Sequence, residues 1–122
     1  MRQMLLALLL GASIIGFSSH SVAEQEAVIL INPFEVPAGK LDATLAMWEK
    51  ARDFLQTQPG YIATELHQSL APDARFRLIN VAKWESHAAF MAAISKMRTQ
   101  ANLPRIEGVI ANPALYSVVR RD

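Results

Sequence analysis

Asn80 and Trp84 are the residues whose types and spacing point most directly to chemistry. They lie in an apolar, β-branched run that ends at Trp84. Because side chains alternate along a strand, both would face the same side of a sheet. A buried amide needs a hydrogen-bonding partner, and a bound ligand could be that partner. The pattern indicates a pocket with polar groups. The alternatives are a hydrogen bond between Asn80 and Asn32 across neighbouring strands, and a packing role for Trp84.

Asn32 and His67 are further candidates on other predicted strands. Asn32 would share the pocket face and could bond Asn80 across neighbouring strands, or it could bond the backbone at an irregularity beside Pro33. His67 shares strand parity with Glu65, but two ligands without a third make a poor metal site, so no metal is predicted. Parity directs His67 to the other sheet face, at the surface or a dimer interface. His67 could accept a proton from a substrate only if a bulge turned the strand and brought its side chain to the pocket.

These residues need elements to position them, and the hydrophobic periodicity predicts strand, helix, strand, strand, helix, strand. The predicted strands are Val28–Phe34, Tyr61–Leu70, Arg75–Trp84 and Leu115–Arg120; the helices are Lys40–Gln58 and a segment capped by Ser86; 101–112 is expected to be irregular. The order predicts an α+β, ferredoxin-like β-α-β-β-α-β sandwich. Its four-stranded antiparallel sheet carries both helices on one face, with the first and third strands central. Pro33 predicts an edge position or a bulge.

The second sheet face is predicted to be apolar, since Ile29, Ile31, Ile79 and Val81 share it. A face of this kind is unfavourable in water. We therefore expect a homodimer whose two sheets pack face to face.

Residues 1–23 have the pattern of a secretory signal peptide, with Arg2, an apolar run over 4–17, and small residues at Ser21 and Ala23. Cleavage is expected after Ala23, which leaves one domain over 24–122, periplasmic or secreted, with no membrane segment. An uncleaved N-terminal anchor is the alternative.

The mature chain would be formally neutral, because removing Arg2 leaves eleven basic and eleven acidic residues. A neutral domain without a basic face argues against nucleic acid as a partner. The sequence contains no cysteine, so disulfides and thiolate chemistry are excluded.

Five motifs in order make the chain similar to the antibiotic biosynthesis monooxygenase domain family, of the dimeric α+β barrel superfamily. The motifs are Asn32–Lys40, Gln58–Tyr61, Leu66–Leu70, Asn80–Ser86 and Asn112–Tyr116. The resemblance covers about Val28 to Arg120 and implies a dimeric α+β barrel.

The resemblance also implies a function. Asn80 and Trp84 match pocket residues of the members that oxidise aromatic polyketides without a cofactor. In those members, the anion of the substrate reduces dioxygen directly, and the protein orients the substrate and stabilises an oxyanion. With Asn32 added by strand parity, the predicted catalytic residues are Asn32, Asn80 and Trp84, and the predicted substrate-binding residues are Phe34, His67 and Phe90. Phe90 stands where those members have a tyrosine.

Similarity to the haem-degrading members is weaker. Asn32 matches, but their pocket tryptophan falls near Ala93, their iron-ligating histidine falls near Leu103, and no histidine follows His87. Haem degradation and a cofactor are therefore not expected. Two classes remain: a monooxygenase of a small aromatic or quinol-type molecule with dioxygen, and a non-catalytic dimer that binds a small hydrophobic ligand or acts as a stress-associated accessory protein.

Overall fold

The computed structural model describes residues 26–122, so the predicted signal peptide lies outside the described residues. Its elements are β1 (Val28–Glu35), α1 (Leu41–Leu55), β2 (Tyr61–Gln68), β3 (Leu78–Trp84), α2 (His87–Gln100), β4 (Ile110–Ala111) and β5 (Ala114–Tyr116). The predicted order and the ferredoxin-like α+β class are confirmed. The closing strand was predicted over 115–120, but it begins earlier and is divided into β4 and β5.

The sheet is antiparallel throughout and has the order β2–β3–β1, with β4 and β5 both on the outer edge of β1. Pro33 therefore lies in a central strand, and its predicted edge position is wrong. Its carbonyl oxygen accepts a hydrogen bond from Asn112 N–H at 3.0 Å. In an antiparallel strand, the backbone nitrogen and the carbonyl group of one residue point to the same side. The Pro33 nitrogen, which has no hydrogen to donate, therefore faces the break between β4 and β5.

Both helices pack on the sheet face that carries Leu30 of β1 and Ala82 and Trp84 of β3. The core there consists of Leu30, Ala82, Trp84, Phe90 and Ala93. Helix α2 begins after Ser86, whose hydroxyl oxygen accepts from Ala89 N–H at 3.1 Å and so confirms the predicted cap. Helix α1 ends at Leu55, three residues before the Gln58-Pro59-Gly60 segment that was predicted to end it.

A bulge at the start of β2 decides which side chains face the helices. Tyr61 lies opposite Trp84, whereas Ala63 lies opposite Lys83, so Ile62 is the extra residue. Ile62 is consequently exposed at 44%. Gly60, just before the bulge, has a φ of 90°, and a Cβ there would collide with Ala89 of α2.

The other sheet face carries the predicted apolar residues, because Ile31 pairs with Val81 and Pro33 pairs with Ile79. Among residues 26–122, no helix is long and apolar enough to span a membrane.

Candidate functional site

A cavity of about 240 Å³ lies between the sheet and the two helices. Strands β1, β2 and β3 form one wall, and α1 and α2 form the other. Its lining is mainly apolar and consists of Leu30, Asn32, Phe34, Met47, Trp48, Ala51, Arg52, Leu55, Tyr61, Thr64, Asn80, Ala82, Trp84, Ile94, Met97, Leu103 and Ala111. A small apolar cavity with a few polar groups is typical of a small-molecule site.

Asn80 lies on β3 in the wall of this cavity and is only 9% exposed. The Thr64 hydroxyl of β2 donates to Asn80 Oδ1 at 2.6 Å. In this orientation of the amide, Nδ2 has no acceptor among residues 26–122. A buried, oriented amide N–H₂ group is therefore available to a ligand.

Trp84 lies at the end of β3 and is 1% exposed. Tyr61 and Phe90 pack edge-on against its indole, with ring centroids at 5.6 and 5.8 Å. No described residue accepts a hydrogen bond from its Nε1. Trp84 thus combines the predicted packing role with a buried donor beside the cavity.

Asn32 lies directly opposite Asn80 in the β1–β3 register. No hydrogen bond joins the two amides within the described range. Asn32 Oδ1 instead accepts from Asn112 N–H at 3.0 Å, where β4 ends. This is the backbone contact at a strand irregularity that the sequence left open. The side chain still contributes to the cavity lining, so the predicted face is confirmed.

The three predicted substrate-binding residues occupy different places. Phe34 lines the cavity. Phe90 packs behind Trp84 and does not line the cavity itself. His67 pairs with Ile79 on the other sheet face, where its Nδ1 lies 3.2 Å from the Ile79 carbonyl oxygen and its Nε2 lies 3.8 Å from Glu65. The bulge precedes His67 by five residues and does not turn it inward, so the structure does not bring His67 to the cavity.

Sequence reasoning missed Thr64, Tyr61 and Arg52 as cavity residues. Thr64 shares strand parity with Leu66, so its position on the pocket face could have been found. Arg52 follows Trp48 by four residues on α1, which places both on one face of the helix. The bulge hid Tyr61, since strict alternation assigns Ile62 to that face.

A second cavity of about 400 Å³ lies beside the first, between α2 and β5. Both cavities are lined by Leu30, Asn32, Ile94 and Met97. These four side chains form a partition between the two spaces.

Haem does not fit the cavity lining. No imidazole or thiolate is among the lining residues, and Leu103, the position near which the family resemblance implied an iron-ligating histidine, contributes an apolar side chain to the lining. The volume also lies below the usual range of about 300–1,000 Å³ for sites of drug-sized ligands. Within the described part of the chain, no group of three or more His, Cys, Asp or Glu residues could hold a metal ion.

The fold and the cavity define a small α+β domain with an enclosed site that bears amide and indole donors. The sequence profile of the antibiotic biosynthesis monooxygenase family matches residues 27–96. The chain belongs to this family.

Solved structures agree with this assignment. A proposed monooxygenase from Shewanella loihica PV-4 is 51% identical, with a TM-score of 0.73, and the match covers 79% of this chain and 97% of that one. SnoaB, a cofactor-independent oxygenase from Streptomyces nogalater, is 20% identical, with a TM-score of 0.59 and coverages of 79% and 96%. The haem degrader MhuD from Mycobacterium tuberculosis is 24% identical, with a TM-score of 0.59 and coverages of 78% and 98%. The last two show the fold alone. No curated protein matches significantly.

Proposed function

We propose that the protein is a cofactor-independent monooxygenase that oxidises a small aromatic or quinol-type substrate with dioxygen. The observation that carries this proposal is the pair of buried donors, Asn80 Nδ2 and Trp84 Nε1, beside an apolar cavity. Family membership and the oxygenases among the structural relatives support it.

The reaction needs no redox group from the protein. The substrate loses a proton, and its anion transfers one electron to dioxygen. The resulting substrate radical and superoxide form a carbon–oxygen bond, which gives a peroxide after protonation. Loss of water then breaks the oxygen–oxygen bond and leaves a carbonyl group. One oxygen atom enters the product and the other leaves as water, so four electrons pass from the substrate to dioxygen.

Asn80 and Trp84 would act on the negative charge that develops on oxygen. Donors held in a dry site stabilise an oxyanion more than water does, and removal of one such donor typically costs about 10²–10³ in kcat. The Thr64 hydrogen bond holds the Asn80 amide in place before the substrate binds. Apolar side chains around the donors would exclude water and position the ring.

A second candidate function is non-catalytic binding of a small hydrophobic ligand. It is favoured by the absence of any carboxylate or imidazole among the cavity residues of the described range. An oxygenase with this lining must leave deprotonation to water, which restricts it to substrates that ionise readily.

We also propose that two copies associate through the face that carries Ile31, Ile79 and Val81, since burial of this apolar face is favourable. Export remains a proposal that rests on residues 1–23 alone.

Oxygen uptake tests the enzymatic proposal. A panel of hydroquinones and anthrones is compared between wild type, Asn80→Ala and Trp84→Phe, with spontaneous oxidation subtracted. Both changes should lower kcat on an accepted substrate by about 10²-fold or more. Gln68→Ala is the matched control, since it removes an exposed amide from β2 outside the cavity lining. Uptake that is absent with every substrate, or unaffected by both changes, favours the binding function instead.

A further inference from the structure

Arg52 gives the cavity a positive charge that the oxygenase proposal does not use. It is the only charged residue in the lining of this cavity within residues 26–122. We propose that Arg52 anchors a negatively charged group on the ligand, and that the cavity takes a small aromatic anion. The charged group would be a carboxylate or an acidic phenol that ionises against the guanidinium. The link between this inference and oxidation rests on the proposed function. The inference that the cavity binds an anion does not depend on it.

The geometry of Arg52 leaves part of its guanidinium available. Its central carbon lies 5.3 Å from the centroid of the Trp48 ring, so the group lies over an aromatic wall of the cavity. Nε and Nη2 donate to Asp53 Oδ1 at 3.1 and 3.0 Å. No described residue accepts a hydrogen bond from Nη1.

The neighbouring carboxylate does not neutralise Arg52 for a ligand inside the cavity. The Asp53 side chain is 67% exposed, whereas that of Arg52 is 34% exposed. Water therefore screens the Asp53 charge, and such exposed pairs are weak. An anion on the cavity side would meet the guanidinium in a less polar medium, where a charge-assisted hydrogen bond is stronger.

The lack of a base in the cavity agrees with this assignment. A neutral phenol would need a proton acceptor, and the lining contains no carboxylate or imidazole within residues 26–122. A phenol that ionises beside Arg52 needs no such group, whereas a ligand held by its carboxylate would lose its phenolic proton to water. The volume of about 240 Å³ favours one or two rings over larger polycycles.

The test compares two ligands of the same shape and different charge, 1-naphthoate and 1-naphthamide, by titration calorimetry at pH 7. The two tryptophans of the sequence both line the cavity, so tryptophan fluorescence reports where the ligand binds. Wild type should bind the acid about tenfold more tightly than the amide. Arg52→Gln should reduce this ratio to about one. Lys96→Gln is the control, since it removes a positive charge from an exposed position of α2 that lines neither cavity.

Asp53→Asn separates anion binding from a structural role of the ion pair. It removes the negative charge beside the guanidinium, so affinity for 1-naphthoate should rise. If the pair only stabilises α1, Asp53→Asn and Arg52→Gln should instead weaken binding together. Weaker binding in both variants overturns the inference. An acid-to-amide affinity ratio that Arg52→Gln leaves unchanged also overturns it, as does a wild type that does not prefer the acid. Circular dichroism checks that each variant is folded.

Oxygen uptake with 1,4-dihydroxy-2-naphthoate and 1,4-dihydroxynaphthalene separates this inference from the proposed function. A charge preference in binding without oxygen uptake refutes the oxygenase alone. Uptake that does not depend on Arg52 or on the carboxylate refutes the anion site alone.

Discussion

Thr64→Val should destabilise the protein, and it should free the side-chain amide of Asn80, which the proposed reaction needs, from its hydrogen bond to Thr64. The substitution keeps a β-branched side chain of similar shape, so the conformation of β2 is retained. It removes the hydroxyl that donates to Asn80 Oδ1 at 2.6 Å. Asn80 is 9% exposed, so water has little access to the oxygen left without a donor.

The expected magnitude follows from that burial. A buried polar group that loses its partner costs about 1–3 kcal/mol. Thr64 itself is only partly buried, which allows some solvation, so we expect about 1–2 kcal/mol. For a domain of this size, such a loss lowers Tm by about 5–10 °C. The freed amide can also rotate, and kcat should fall more than KM changes because the donor acts on the transition state.

Urea unfolding of a double-mutant cycle measures this coupling. The cycle combines Thr64→Val with Asn80→Leu, which replaces the amide by an apolar side chain of similar size. The double variant should be more stable than the sum of the single changes predicts, because no buried oxygen is left unpaired. A coupling energy of zero, or a Thr64→Val variant as stable and active as wild type, would refute this account of how Asn80 is held.

Two further changes test the fold around the site. Gly60→Ala should lower the free energy of unfolding, measured in urea, by about 2–4 kcal/mol, because an alanine is strained at this positive φ and its Cβ would collide with Ala89. Gly39→Ala is its control, because it has a φ of 83° but no atom within 4 Å, and should cost only about 1–2 kcal/mol; equal losses would contradict the packing argument. Val81→Lys, on the apolar sheet face, should convert the proposed dimer to monomers in analytical ultracentrifugation, and a wild type that sediments as a monomer would rule the dimer out.

Strand alternation predicted the pocket face correctly for Asn32, Asn80 and Trp84, because one face of the central strands is buried and fixes the register. The same rule failed at the start of β2. The bulge at Ile62 depends on the close approach of Gly60 to α2, a tertiary contact that periodicity cannot reveal.

The partners of the polar groups were also beyond the sequence. The sequence suggested Asn32 or a ligand as the partner of Asn80, whereas in the β2–β3 register Thr64 lies diagonally across from Asn80 and donates to it. Spacing places Arg52 on the Trp48 face of α1, but its position at a cavity depends on how α1 packs against the sheet. The closing strand breaks between Ala111 and Ala114, a gap that contains Pro113 and lies beside Pro33 of β1, and neither proline can donate a backbone hydrogen bond.

The partition of Leu30, Asn32, Ile94 and Met97 has a consequence for how this site could diversify. Met97 has an unbranched, flexible side chain, and it lines both cavities. Shortening this side chain would enlarge the space on either side without altering a strand, a helix or the donors on β3. The size of the accepted molecule can therefore evolve independently of the groups that act on it, through substitutions on one helix.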